Sequence, residues 1–198
     1  MTPETLPALL ALAIATLFTP GPNNAMLAAS GANFGFRRTI PHLLGVATGF
    51  PLMMLIVGLL LGGLFQASAV LRETLRWGGA LILLWIAWKI AVSGGIGSKM
   101  GNAHPMSYVK AVGFQWVNPK AWSMAIAATS QFILPSAPVT TATLVAATFL
   151  TLGLVSASTW AFGGQAIARW LTSARRLKIF NLIMAALIVL SVIELVRH

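Results

Sequence analysis

Two polar runs interrupt an otherwise apolar chain: Thr19-Pro20-Gly21-Pro22-Asn23-Asn24 near its start, and Gln115-Trp116-Val117-Asn118-Pro119-Lys120-Ala121-Trp122 past its middle. Between them they offer amides, a hydroxyl, one ammonium and main chain broken by proline. These groups bind by hydrogen bonding and charge, whereas bond-making sites call for acid pairs, a nucleophile with its base, or metal ligands. With three acids, three scattered histidines and no cysteine, the chain has no metal-ligand cluster, no thiolate nucleophile and no disulfide framework. An enzyme is not expected, and neither is a cofactor or a bound metal.

In the first run, two prolines around a glycine remove backbone donors and favour a break in a helical ladder. In the second, Asn118 is placed to cap a new helical segment with Pro119 at its first position and Lys120 within the first turn. A segment that starts at such a break presents unpaired N–H groups and the positive end of its dipole, which suit a carboxylate. The segment before the break ends in free carbonyls, which with the amides of Asn23, Asn24 and Asn118 can accept hydrogen bonds from an ammonium. A zwitterionic amino acid fits both halves of that description. The candidate substrate-binding set is therefore Thr19, Pro20, Gly21, Pro22, Asn23, Asn24, Gln115, Asn118, Pro119 and Lys120. The blander alternative is that both prolines only kink their helices, as many in membranes do. For Lys120 the alternative is a long stem snorkelling to the interface.

The elements that must position these residues follow from composition. A chain of 198 residues, 58% hydrophobic and 8% charged, with a mean hydropathy of +0.85, cannot have water as its main solvent. Hydrocarbon about 30 Å thick takes roughly 20 apolar residues in helix. Six stretches approach that length: Leu6–Ala29, Pro41–Leu64, Leu75–Val92, Val109–Leu134, Thr141–Ala161 and Ile179–Val196. The expected fold is all-α integral membrane, one transporter domain over residues 1–198 with six transmembrane helices, the first and fourth broken. The first stretch lacks a positive flank and carries Glu4 ahead of it, so it reads as a retained helix and not a signal peptide.

The net charge of +10 marks topology and not a nucleic-acid partner, because the basic residues lie between apolar runs. Arg37, Arg38, Lys89, Lys99, Lys110, Arg169, Arg175, Arg176 and Lys178 fall on one side; Arg72, Arg76 and Arg197 fall on the other, with Glu4, Glu73 and Glu194. The basic side is cytoplasmic by the positive-inside rule, which puts both termini outside a bacterial-type inner membrane. Three helices per half then cross in opposite senses, as in a 3+3 inverted repeat, with halves of about 1–93 and 106–198 joined by the flexible run Ser93–Ser98. From helix lengths, Thr19 lies about 20 Å in from outside and Asn118 about 14 Å in from the cytoplasm, so the breaks meet near mid-membrane.

The pairs Gly31/Gly35, Gly45/Gly49 and Gly58/Gly62 have the spacing of close helix packing, within the chain or, alternatively, across a homodimer face. Trp77, Trp88 and Trp170 read as interface anchors, while Trp116 and Trp122 flank the second break as candidate cavity walls. His42 reads as a solvated interfacial histidine, with a proton relay as the sharper alternative. Glu194 reads as a boundary residue.

At these motifs the sequence resembles the lysine exporter (LysE/RhtB) family of amino acid exporters, over nearly its whole length. The resemblance rests on Thr19-Pro20-Gly21-Pro22-Asn23, Gly35-Phe36-Arg37-Arg38, Gly45-Val46-Ala47-Thr48-Gly49 and Asn118-Pro119-Lys120. Trp85-Ile86-Ala87-Trp88-Lys89-Ile90-Ala91 and Phe132-Ile133-Leu134-Pro135 are similar to its cysteine and O-acetylserine branch. The resemblance implies an inner-membrane exporter of a small amino acid or derivative, driven by the proton-motive force. Many members carry an aspartate where this chain has Asn23, so a coupled proton would travel through Lys120, His42 or the substrate. A passive channel and a membrane scaffold subunit are the competing functions.

Overall fold

The computed structural model describes residues 5–61, 68–92 and 104–197. Glu4, Gly62, the Ser93–Ser98 connector and Lys99 lie outside them, as do the side chains of Arg72, Glu194 and Arg197. Among the described residues the secondary structure is helical, with no strand: α1 (Thr5–Phe18), α2 (Pro22–Phe34), α3 (Phe36–Ile56), α4 (Ala69–Val92), α5 (Tyr108–Phe114), α6 (Pro119–Phe132), α7 (Pro138–Ala168) and α8 (Ala174–Arg197). A π-helical turn, Val57–Leu61, continues α3, and a 3-10 turn, Gln115–Val117, joins α5 to α6.

Four helical spans are long and apolar enough to cross a membrane: Phe36–Leu60, Glu73–Val92, Pro138–Ala168 and Ala174–Ile193. The α1–α2 pair, bent by 52° at its break, makes a fifth if taken as one span. The stretch expected over Val109–Leu134 is divided into 7, 3 and 14 residues, because the chain turns extended at Asn118 (φ −89°, ψ 108°). Several helices outrun their apolar stretches. α3 begins at Phe36 and not Pro41, because Gly35 turns with φ 80°, a left-handed conformation that favours glycine. Arg37 and Arg38 thereby stand in the first turn of α3 and Pro41 lies inside it.

Side-chain contacts gather the basic segments at one end of the bundle. Arg38 Nη2 meets His104 Nδ1 at 3.2 Å, Gln165 Oε1 accepts from the backbone N–H of Phe36 at 2.5 Å, and Asn33 donates to Asn181 at 3.2 Å. These join the starts of α3 and α8 to the ends of α2 and α7 and to the segment leading into α5. At the opposite end Arg76 of α4 pairs with Glu73 at 3.4 Å and donates to the carbonyl of Val196 in α8. Among the described side chains, Arg38 thus stands at one end of the bundle and the Arg76–Glu73 pair at the other.

The glycines seat helices against one another within the chain. A Cβ on Gly45 would lie 2.5 Å from the carbonyl oxygen of Tyr108, and one on Gly49 would lie 2.8 Å from Cα of Val112, so α3 and α5 meet backbone to backbone. Gly31 of α2 and Gly164 of α7 form a tighter, reciprocal crossing. α4 packs lengthwise on α8. Its Gly79 also faces the carbonyl of Val117, where a Cβ would come within 2.5 Å. That contact sets α4 directly beside the second helix break.

Candidate functional site

The two breaks come together. Asn23, at the second position of α2, donates from Nδ2 to Oε1 of Gln115 at 2.9 Å, and Gln115 Nε2 returns a bond to Asn23 Oδ1 at 3.3 Å. Gln115 is fully buried and also donates to the carbonyl of Ala111 at 2.9 Å, so its amide is fixed by its own helix while it reaches the other half of the chain. A reciprocal amide pair of this kind exhausts neither partner: the second lone pair on each oxygen remains available.

Beside this pair, with Asn23 in its wall, lies a narrow, partly open cleft of about 40 Å³, well below the roughly 300–1,000 Å³ typical of occupied small-molecule sites. Its polar wall is Thr16, Gly21, Asn23, Asn24, Asn118, Lys120 and Ser156; its apolar wall is built mainly by Val46, Phe50, Met124 and Phe149. Phe50 and Phe149 stack edge to face at 5.6 Å, joining α3 and α7 across the back.

Each break is finished locally. At the second, Asn118 is buried and its Oδ1 accepts from the N–H of Lys120 at 3.2 Å, an N-cap with Pro119 behind it at the first helical position. Trp122 donates Nε1 to the carbonyl of Trp116 at 2.9 Å, and the two rings meet edge to face at 5.9 Å. Neither tryptophan lines the cleft: their expected place in the cavity wall is taken by smaller groups, because Trp122 is committed to closing the 3-10 turn.

At the first break, the carbonyls expected to be free are occupied. The carbonyl of Leu17 accepts from Asn24 Nδ2 and from Ser156 Oγ, each at 2.8 Å. That of Thr19 accepts from Asn24 Nδ2 at 2.8 Å and from Lys120 Nζ at 3.2 Å. Lys120 Nζ also meets Thr19 Oγ1 at 2.8 Å and the Pro20 carbonyl at 3.3 Å. The physical reason is that a carbonyl left bare in a membrane is costly, and the ammonium is equally costly there, about 2.5–3.5 kcal/mol on insertion scales. Each offsets the other. Lys120 therefore turns inward to the first break instead of snorkelling to an interface. The start of α2 is different, for Gly21 supplies no side-chain cap and its backbone is extended. That helix end, with its N–H groups and positive dipole, borders the cleft.

Of the residues singled out in the sequence, Gly21, Asn23, Asn24, Asn118 and Lys120 line the cleft, and Gln115 braces it. Thr19 and Pro20 are exposed and contribute through Lys120, while Pro22 and Pro119 open the two helices. His42 is corrected: it is buried, at 1% exposure, with Nδ1 3.1 Å from Ser30 Oγ, because α3 starts earlier than expected and carries it inside.

Against known proteins, the LysE type translocator model matches residues 14–198. The chain belongs to the LysE type translocator family. It is accordingly a multi-pass membrane transporter and not an enzyme. This translocator is 33% identical over 202 residues to the cysteine/O-acetylserine efflux protein of Klebsiella pneumoniae subsp. pneumoniae, covering 99% of each chain. It is 32% identical to the proteins of the same name from Salmonella typhi, over 190 residues, and from Escherichia coli strain K12, over 194, covering 96% of each chain in both cases. No solved structure matches it.

Ser156, like Thr16, is a polar cleft residue that the sequence reading of this translocator missed. It sits in a long apolar helix among Thr143, Thr148, Thr151 and Thr159, whose hydroxyls all turn back to the carbonyl four residues earlier. Ser156 instead donates across to Leu17, and residue type alone does not distinguish the two behaviours.

Proposed function

We propose that this translocator exports a small neutral amino acid or amino-acid derivative from the cytoplasm across an inner membrane, using the cleft at the two helix breaks as its substrate site. The observation that carries the reading is the convergence of two interrupted helices from opposite halves on one polar cleft, tied by the Asn23–Gln115 amide pair. In this reading the uncapped start of α2 receives the substrate carboxylate, the carbonyl and amide oxygens nearby receive its ammonium, and the apolar wall takes a short side chain. The names of the relatives favour cysteine or O-acetylserine as substrate.

Six spans in two inverted halves are part of the proposal, with α1–α2 corresponding to α5–α6, α3 to α7 and α4 to α8. The packing supports it: α1 and α2 both contact α7, α5 and α6 both contact α3, and the pairs α3–α7 and α4–α8 each map onto themselves. The basic end of the bundle is then cytoplasmic and both termini lie outside. Rocking of the halves about the breaks gives alternating access. The proton-motive force is the proposed drive.

The test is counterflow into liposomes carrying the purified protein and preloaded with unlabelled O-acetyl-L-serine. Labelled O-acetyl-L-serine should accumulate transiently above equilibrium, which a passive channel or a scaffold cannot produce. In liposomes without preloaded substrate, net accumulation against a gradient should require an imposed proton gradient. Simple equilibration without overshoot would remove the carrier reading, and proton-independent uphill uptake would remove the coupling.

A further inference from the structure

An ammonium already sits at the first break, and it belongs to the protein. Lys120 Nζ has three acceptors, Thr19 Oγ1 at 2.8 Å, the Thr19 carbonyl at 3.2 Å and the Pro20 carbonyl at 3.3 Å. An –NH3+ group has three donors and no acceptor, so this is a seat for a primary ammonium. Its donors would be the same if the ammonium were on a free amino acid. The seat adjoins the cleft, for Lys120 and Gly21 are among the groups lining it. It is also accessible, since Thr19 and Pro20 are exposed and Lys120 is half-buried.

The path of the lysine stem is independent of those bonds and points the same way. A Cβ on Gly21 would lie 2.9 Å from both Cδ and Nζ of Lys120, so the stem lies directly over the Gly21 backbone. A side chain at that position would oblige the flexible stem to shift. The lysine thus covers main chain at the uncapped start of α2 while its charge occupies the carbonyl end of α1.

We propose that the Lys120 ammonium is a tethered occupant of the site for the substrate's ammonium, displaced when an amino acid binds and then free to pair with the substrate carboxylate. This rests on the export reading above and deepens it. A tethered competitor explains selection for zwitterions. A simple amine must evict Lys120 and leaves that charge without a counter-ion in a membrane-embedded cleft, whereas an amino acid brings a carboxylate to receive it. An N-acylated amino acid lacks the three-donor ammonium and has nothing to place in the seat.

The test uses equilibrium binding of three labelled compounds to the purified full-length protein: O-acetyl-L-serine, its N-acetyl derivative, and cysteamine, a primary amine without a carboxylate. The wild type should bind only the first. Lys120→Met keeps a stem of similar length, and the backbone N–H that Asn118 caps is unaffected. In this variant cysteamine should bind about tenfold or more tighter than in the wild type, while O-acetyl-L-serine is no longer preferred over it. Gly21→Ala, which pushes the stem off the seat without removing the charge, should also strengthen cysteamine binding. If Lys120 is only a cap for the broken helix, both variants will weaken or leave unchanged the binding of every compound, and the proposal is overturned. Wild type binding none of the three would instead count against the export reading, while a gain of cysteamine binding in Lys120→Met would still support the seat.

Discussion

Gly31→Ala and Gly164→Ala will each lower the thermal unfolding temperature of the purified protein by about 2–12 °C, whereas Gly163→Ala will leave it unchanged or raise it slightly. The difference follows from where α2 and α7 touch. A Cβ on Gly31 would lie 2.0 Å from the carbonyl oxygen of Ala161, and a Cβ on Gly164 would lie 2.0 Å from that of Ala28. Each helix offers a glycine hydrogen to a carbonyl of the other, a Cα–H···O contact made twice. Both carbonyl oxygens are backbone atoms and cannot swing away, so one added methyl must drive the helices apart along the crossing. Overpacking of this kind typically costs about 1–3 kcal/mol. A Cβ on Gly163, the next residue along, meets nothing within 4 Å, so the only change there is the gain in helix propensity. Equal unfolding temperatures for the three variants would show that α2 and α7 do not cross as described.

Gln115→Leu will reduce transport about tenfold or more while still yielding inserted protein, and Asn23→Leu combined with Gln115→Leu will recover stability without recovering transport. Leucine is comparable to glutamine in volume but leaves both amide atoms of Asn23 without the partner they have across the halves. Leaving one polar partner stranded costs more than removing both, which is why the double variant regains stability. If the pair acts only as a brace, the double variant will transport as well as it folds. If the oxygens of Asn23 and Gln115 contact substrate, restored folding will not help. Unfolding temperatures and counterflow measured on the same preparations separate the two.

Much of the candidate site's local geometry could be read from sequence because its logic is local. Proline removes a donor wherever it occurs, and asparagine before proline caps a helix by a bond spanning two residues, which Asn118 and Lys120 make. The glycine spacings of Gly45 and Gly49 carried a packing meaning for the same reason. What could not be read depends on which distant groups meet. Lys120 and Thr19 are 101 residues apart, and only the fold shows that the ammonium satisfies the carbonyls of the other break. His42 was misplaced by its neighbour: Pro41 looks like a first helical position, yet the turn at Gly35 had already started α3 at Phe36, five residues sooner. Ser156 has no local signature, since every hydroxyl in its helix has a nearby carbonyl to return to.

The central claim is that both halves of the chain line one substrate cleft. The protein has no cysteine, so single replacements report without background. Thr16→Cys in α1 and Met124→Cys in α6 place a thiol on that cleft from each half. Thiol labelling of both should be slowed by O-acetyl-L-serine with the same half-saturating concentration. Protection of one position alone, or of the two at clearly different concentrations, would contradict it.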